Sequence, residues 1–522
     1  MINPKDYGAD YLLVNTTNQF LLEYAPLCEN SCNKLTGFTG DTGDALLCPN
    51  GQCYLFVDGR YHTQADNEAN EITTVVKLEL GQKQDEAICE RIKPNSILGI
   101  VGKKVSQKRL EFFQILLKEL KSEVKILSFD PFDTKQQTKI KEVVSLDRAL
   151  CGSDFSEKIN ILDKSALYTN SEEISYLCNL RDFSQENAVK IDGKLLVLEG
   201  KSILFSDIKV SQKTDFEIKP LLDFDEIISK ITESVRVDKS TINAYDYSLI
   251  KNPVCVQSPV KLMKSVKNNA ELEHLKYCFE MTDNALMATR DFIYNNDGLS
   301  EYDIDTELTK NFKKFGAKSL SFKSIVARNQ NAAQAHYMNS SKDEIIKDGD
   351  LILIDCGAYY EGGLATDITR VFVKGNPSVL QKKVYTIVLK MFLNAYNFKI
   401  VTGKSSGFEI DGLAREILKD NPVDNFVFSH GLGHGIGVCV HEAPPNLSVN
   451  EIAKTPIQNN MCFTIEPGLY NPEEFGVRLE NSCYLDNGVI KSLTNMCYEE
   501  KLIDFSMLTD DEKEWLKEFR VL

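Results

Sequence analysis

Four carboxylates and one imidazole in the last third of this 522-residue chain constrain it more than any other feature: Asp355, Asp367, His434, Glu466 and Glu480. Each lies in a short stretch that reads as a strand or a strand end, in LILID, DITRVFV, SHGLGHGIG, FTIEPG and GVRLEN. Four anions cannot share a buried pocket alone, because repulsion and desolvation would force some of them to take up protons. Two divalent cations with a bridging hydroxide leave the set nearly neutral and supply a nucleophile.

The spacing supports such a pair of ions. LILID is an apolar strand ending in a carboxylate, so Asp355 is delivered beside a turn containing Gly357, Gly362 and Gly363, and Asp367 opens the returning strand. Either aspartate alone reads better as an ordinary turn or strand-initiating residue. Glu466 and Glu480 repeat the arrangement across GLYNPEEF, with Arg478 on the same strand face as Glu480; an ion pair to Arg478 would account for one of these glutamates. Of six histidines, His336, His430, His434 and His441 fall in this region. The glycines of SHGLGHGIG strip away side-chain bulk and let backbone approach a ligand. An oxygen-rich donor set suits manganese, with cobalt, iron or zinc as competitors. Hydrolysis is the reaction class this chemistry implies, and no Walker loop or dinucleotide fingerprint competes with it.

Composition narrows the partners. Hydrophobic residues are 43% and charged residues 26%, as in soluble globular enzymes. A formal charge of −16 argues against nucleic acid or an anionic membrane as partner. The segment MINPKDYGADYLLV does not read as a signal peptide. No run approaches the ~20 apolar residues of a membrane helix, so the expected location is the cytosol. The 14 cysteines, scattered through apolar segments such as LILIDC and GVCVHE, read as buried free thiols with structural roles. Cys48 and Cys53 flank a PNGQ turn and are expected to face each other across a hairpin.

Strand-like and helix-like segments alternate over the first ~130 residues, from DYLLVN to LEFFQILLKELKSE, which is an α/β pattern. The polar stretch DPFDTKQQTKIKE reads as a linker or surface helix, after which the pattern begins again, suggesting a duplicated unit. The expected domains are 1–148, 149–258 and 259–522. In the last, NNAELEHLKYCFEMTDNALMATRDFIYN reads as a long helix, LSFKSIVA, DLILIDCGAYY and DITRVFV as strands, and FTIEPGLY with GVRLENSCYL as a strand pair. Strands and helices without strict alternation indicate α+β. Thr509 and Glu512 form a capping box ahead of KEWLKEF.

DCGAYYEGGLATDITR, SHGLGHGIG with VHEAPP, FTIEPGLY and GVRLEN resemble, in order, the metal-binding motifs of the pita-bread metallopeptidases, which include methionine aminopeptidase, prolidase and aminopeptidase P. NKLTGFTGDTGDALL, VDGRYHTQAD, ISYLCNLRD and MKSVKNNAELEHLK resemble segments of the three-domain aminopeptidase P type, and the tail CYEEKLIDFSMLTDDEKEWLKEF resembles its carboxy-terminal extension. The resemblance implies a pita-bread α+β catalytic domain behind two α/β domains. It also implies Asp355, Asp367, His434, Glu466 and Glu480 as ligands of two metal ions, with Asp367 and Glu480 bridging. By the same resemblance His430 is a proton shuttle, His336 and His441 contact substrate and the tetrahedral intermediate, and Tyr470 and Arg478 stand behind the ligands. The implied activity is release of an amino-terminal residue that precedes proline, by a homodimer. Prolidase, which accepts dipeptides, and a catalytically inactive binding module are the alternatives. One departure stands out: the connection from Asp355 to Asp367 is one residue longer than the family's usual hairpin. The extra residue is expected to enlarge the turn at 361–363; a register shift would instead turn Asp367 to the wrong face.

Overall fold

The computed structural model describes residues 2–79, 81–133, 140–162 and 165–522. The chain forms two compact units: Met1–Val143, Phe155–Leu180 and Ile191–Pro259 make the first, and Val144–Asp154, Arg181–Lys190 and Val260–Leu522 the second.

Within the first unit the initial sheet has strands β1 (Tyr11–Asn15), β2 (Asp44–Leu47), β3 (Cys53–Val57), β4 (Thr73–Lys77), β5 (Ile97–Val101) and β6 (Glu123–Leu127), in the order β4-β3-β2-β1-β5-β6. β2 is antiparallel to both neighbours and every other pairing is parallel. β3, and β1 up to Val14, are apolar because helices cover both sheet faces. A second six-stranded sheet runs Glu217–Lys219, Lys201–Phe205, Lys194–Leu198, Ala166–Tyr168, Val235–Val237, Pro253–Cys255. Numbered along the chain, its order is again 4-3-2-1-5-6 and its strand directions are the same. We propose on this ground that 1–148 and 149–258 are two copies of one domain. Residues 134–139, the middle of the expected linker, lie outside the described residues.

Cys53 opens β3 opposite Leu47 while Cys48 follows β2 and donates its N–H to the Gln52 carbonyl, so the two are offset by one residue and do not face each other as expected; all 14 cysteines are free thiols. Twelve are buried, whereas Cys28 and Cys255 are exposed, which corrects the uniform burial expected. Cys255 ends an edge strand, where one flank has no neighbour to cover it.

The second unit is built on the antiparallel ladder Ile325–Arg328, Leu351–Cys356, Ile368–Val373. Leu351, Leu353, Val371 and Val373 face one core, filled by the helix Val379–Tyr396 and by Ile410 and Ala414 of the helix Gly407–Asp420. Ile352, Ile354, Cys356 and Phe372 face another, under the helices Asn269–Asn295 and Glu301–Lys314. The long helix begins at a capping box of Asn268 and Glu271, and the expected box of Thr509 and Glu512 starts the helix Asp510–Leu516.

Two strand readings need correction. LSFKSIVA is not one strand but two short ones, Ser319–Leu320 and Ile325–Arg328. FTIEPGLY and GVRLENSCYL do not make one continuous ladder: Cys462–Ile465 pairs with Asn481–Asp486, and Gly468–Tyr470 pairs with Gly476–Arg478. Pro467 has no N–H to donate, so the ladder breaks there.

Candidate metal centre

Period-two alternation brings the acidic residues together. Asp355 lies opposite Thr369, so Asp355, Thr369 and Asp367 share the face that further along carries Leu353 and Val371. The aspartates thus occupy core positions at the end of a core strand, where Asp355 is 8% and Asp367 4% exposed. The connection closes in a tight turn: Tyr359 pairs with Ala365, and Gly363, with φ of +58°, donates its N–H to the Tyr360 carbonyl at 2.8 Å. Register is preserved. Gly357 has no side chain because a Cβ there would lie 1.8 Å from the Thr366 carbonyl oxygen.

Glu466 and Glu480 both sit at the ladder break, next to the pair Ile465 and Asn481. The Glu480 N–H donates to the Thr369 carbonyl at 3.1 Å, and its carboxylate accepts from the Thr369 hydroxyl at 2.8 Å. The Glu466 N–H donates to the Leu432 carbonyl at 2.7 Å, which ties it to the glycine-rich segment bearing His434. That segment is fixed from behind by Asp411, which accepts the Leu432 N–H at 3.0 Å, and by Arg415, which reaches the His430 carbonyl at 2.7 Å.

Ligand atoms of Asp367, His434 and Glu480 all lie within 4.8 Å of one another. His434 Nε2 is 3.6 Å from Asp367 and 3.5 Å from Glu466. These separations exceed a good hydrogen bond. They match two donors sharing one ion at ~2.1 Å each. His434 Nδ1 lies 3.0 Å from the Gly435 carbonyl, which holds the proton on that nitrogen and makes Nε2, facing Asp367 and Glu466, the nitrogen able to coordinate.

The donor chemistry fits a metal pair on a further observation. Asp355 Oδ1, Asp367 Oδ1 and Glu480 Oε1 are buried oxygens with no hydrogen-bond partner. Such groups are rare unless an ion or water satisfies them. Burial, reinforced by Glu480, Asp355 and Glu466, holds the Asp367 carboxyl well above the ordinary carboxylate range. Burial and then Asp355 push Glu480 upward too.

Arg478 bonds Asp355 Oδ2 at 2.5 Å, so the ion pair expected with a glutamate is made with the first strand's aspartate. Its Nη1 donates to Tyr470 Oη at 2.8 Å, and Tyr470 Oη lies 2.7 Å from His430 Nε2. His430, Tyr470, Arg478 and Asp355 therefore form one hydrogen-bonded chain. Arg478 also lies 3.4 Å from the carbonyl of Ala335, the residue before His336. His441 packs edge-on against His434, ring centroids 4.5 Å apart.

Sequence reasoning missed Glu442, next to His441. It is 1% exposed and paired with Lys267 at 2.7 Å and Lys264 at 3.1 Å. It also accepts the Val438 N–H at 2.7 Å, closing the loop that carries His441. The signal was present as a glutamate within an apolar run, GVCVHEAPP, and two of the three lysines in VKLMKSVKN, Lys264 and Lys267. Arg370 was also missed. Fully buried, it donates to the carbonyls of Thr369, Glu480, Met496 and Cys497 and to Asn481, and lies over the Tyr498 ring.

Residues 273–487 match the model of metallopeptidase family M24. Aminopeptidase P2 of Arabidopsis thaliana is 25% identical, over 98% of this chain and 82% of its own. Xaa-Pro aminopeptidase 1 of Dictyostelium discoideum is 26% identical, over 99% of this chain and 90% of its own. The X-prolyl aminopeptidase of Caenorhabditis elegans, described as a cytosolic enzyme with a di-nuclear active site, has a TM-score of 0.88 at 22% identity, covering 98% of this chain and 90% of that one. The prolidase of Pyrococcus horikoshii OT3 gives 0.55 at 26% identity, over 66% of this chain and 97% of its own. These likenesses bear out the pita-bread fold read from the sequence, and the matched residues 273–487 include all five acidic and histidine donors. No helix among the described residues is long and apolar enough to cross a membrane.

Proposed function

We propose that this protein is a cytosolic, manganese-dependent Xaa-Pro aminopeptidase that acts as a homodimer and removes the residue preceding proline from peptides. The observation that carries the reading is the convergence of buried, partnerless carboxylate oxygens beside His434 in an M24 domain. Asp355, Asp367, His434, Glu466 and Glu480 would hold two divalent ions. When bound, these supply Lewis acidity and a nucleophilic hydroxide near neutral pH.

The chain's own residues do the rest. Proline lacks an N–H and its ring constrains the chain, so its peptide bond needs a dedicated site. Glu466, with its side chain 18% exposed at the rim, passes a proton to the leaving proline nitrogen. His430 is the other group able to do so, its Nε2 held on Tyr470. His336 and His441 contact the substrate and stabilise the developing oxyanion. Arg478 orients Asp355 through their ion pair.

Prolidase activity is the competing reading, and full-length likeness to aminopeptidase P relatives favours the aminopeptidase. The test is hydrolysis of an Xaa-Pro dipeptide against an Xaa-Pro-Xaa peptide, after chelation and again after manganese is restored. The longer peptide should be cleaved only with metal, and Glu466→Ala and His434→Ala should be inactive yet folded. Strict preference for the dipeptide, or full activity in either variant, would overturn the assignment.

A further inference from the structure

The connection between Asp355 and Asp367 must be held by something, since two proposed ligand carboxylates depend on its conformation. Three residues on one face of the helix Asn269–Asn295, four apart, do this: His274, Cys278 and Thr282. Thr282 lies at the base of the hairpin, its hydroxyl 2.8 Å from that of Thr366 and 3.1 Å from that of Tyr360. His274 lies at the tip. The Gly362 N–H donates to its Nε2 at 2.9 Å, and the Cys278 sulfur is 3.2 Å from the same nitrogen. Shape adds to the hydrogen bond: a Cβ on Gly362 would fall 2.4 Å from the imidazole Cδ2. On the far side of the tip, Arg181 Nε donates to the Gly363 carbonyl at 3.0 Å.

We propose that His274 is a positioning residue for the metal centre, its imidazole fastening the tip of the hairpin so that Asp367 faces His434 and Glu480. The role rests on the metal-dependent reading above. A nitrogen that accepts the Gly362 N–H carries no proton, so the ring must be neutral with its hydrogen on Nδ1. The surroundings favour that form: burial lowers the pKa of the imidazole, Glu361 opposes the shift and Arg181 adds to it. Tyr277, with ring centroids 6.2 Å apart, and Cys278 complete its neighbourhood.

The experiment compares His274→Gln, His274→Phe and His274→Ala. Glutamine can still accept an amide hydrogen, phenylalanine fills the space without accepting, and alanine does neither. Manganese affinity is measured by titration calorimetry on chelated protein, and amide exchange across residues 360–367 by mass spectrometry. Groups that orient metal ligands typically change affinity tenfold or more when lost, so Phe and Ala should weaken manganese about tenfold. Both should also speed exchange in the hairpin but not in the helix Val379–Tyr396. Gln should stay within about threefold of wild type. Equal affinity and unchanged exchange in the Phe and Ala variants would overturn the proposal, as would Gln behaving like Ala. If wild-type protein took up no manganese, the metallopeptidase reading would fall, while the exchange measurement would still decide whether His274 holds the hairpin.

Discussion

Replacing Glu442 with glutamine should cost about 3 kcal/mol of stability, and the structure fixes both the size and the pH dependence. Burial pulls the carboxylate upward, yet two equally buried lysine ammonium groups bring its pKa down from 4.5 to about 2. At about 1.4 kcal/mol per unit, that drop corresponds to about 3 kcal/mol favouring the charged form in the fold. Removing one partner of a buried ion pair usually costs about 3–5 kcal/mol, so two routes agree. Because the folded pKa lies below the unfolded one, the contribution is complete above pH 4.5 and disappears as pH falls toward 2. Urea unfolding of wild type and Glu442→Gln should therefore show a gap that is flat from roughly pH 5.5 to 8. By the scaling for a unit of this size, thermal unfolding should fall by about 8 °C. A gap below about 1 kcal/mol at neutral pH, or one that shrinks between pH 8 and 5.5, would refute the reasoning.

Other outcomes follow from the same geometry. Asp367 and Glu480 have raised pKa values, so the metal-free fold binds extra protons and should lose stability as pH rises; manganese should raise the melting temperature more at about pH 8 than at pH 5.5. Arg478→Lys cannot reach Asp355, Tyr470 and Thr369 together, and it should weaken metal binding by about 10–100-fold in calorimetry. Tyr470→Phe breaks the link between His430 and Arg478, and it should lower kcat about tenfold with little change in KM.

Much of this was legible in the sequence because it is written locally. LILID announces a buried strand whose last residue is a carboxylate, and only a special site makes that tolerable. The boxes at Asn268 and Thr509 mark helix starts through contacts three residues apart. The pairings that organise the site are not local. Arg478 chooses Asp355 across 123 residues, and Lys267 meets Glu442 across 175. No periodicity encodes such choices. The break at Pro467 could have been anticipated from its missing N–H. That both metal-competent glutamates occupy that break emerges only when the strands are laid side by side.

Arg370 gives the tail of the chain a stake in the chemistry. Its guanidinium grips the main chain of a proposed ligand, Glu480, with one side and that of Met496 and Cys497 with the other. The segment after residue 487 lies beyond the family domain and contributes no donor, yet it closes the wall behind the carboxylates. Cutting the chain ahead of Met496 would strand a positive charge in the interior and loosen the scaffold of Glu480, so a minimal catalytic fragment cannot be drawn at the last ligand.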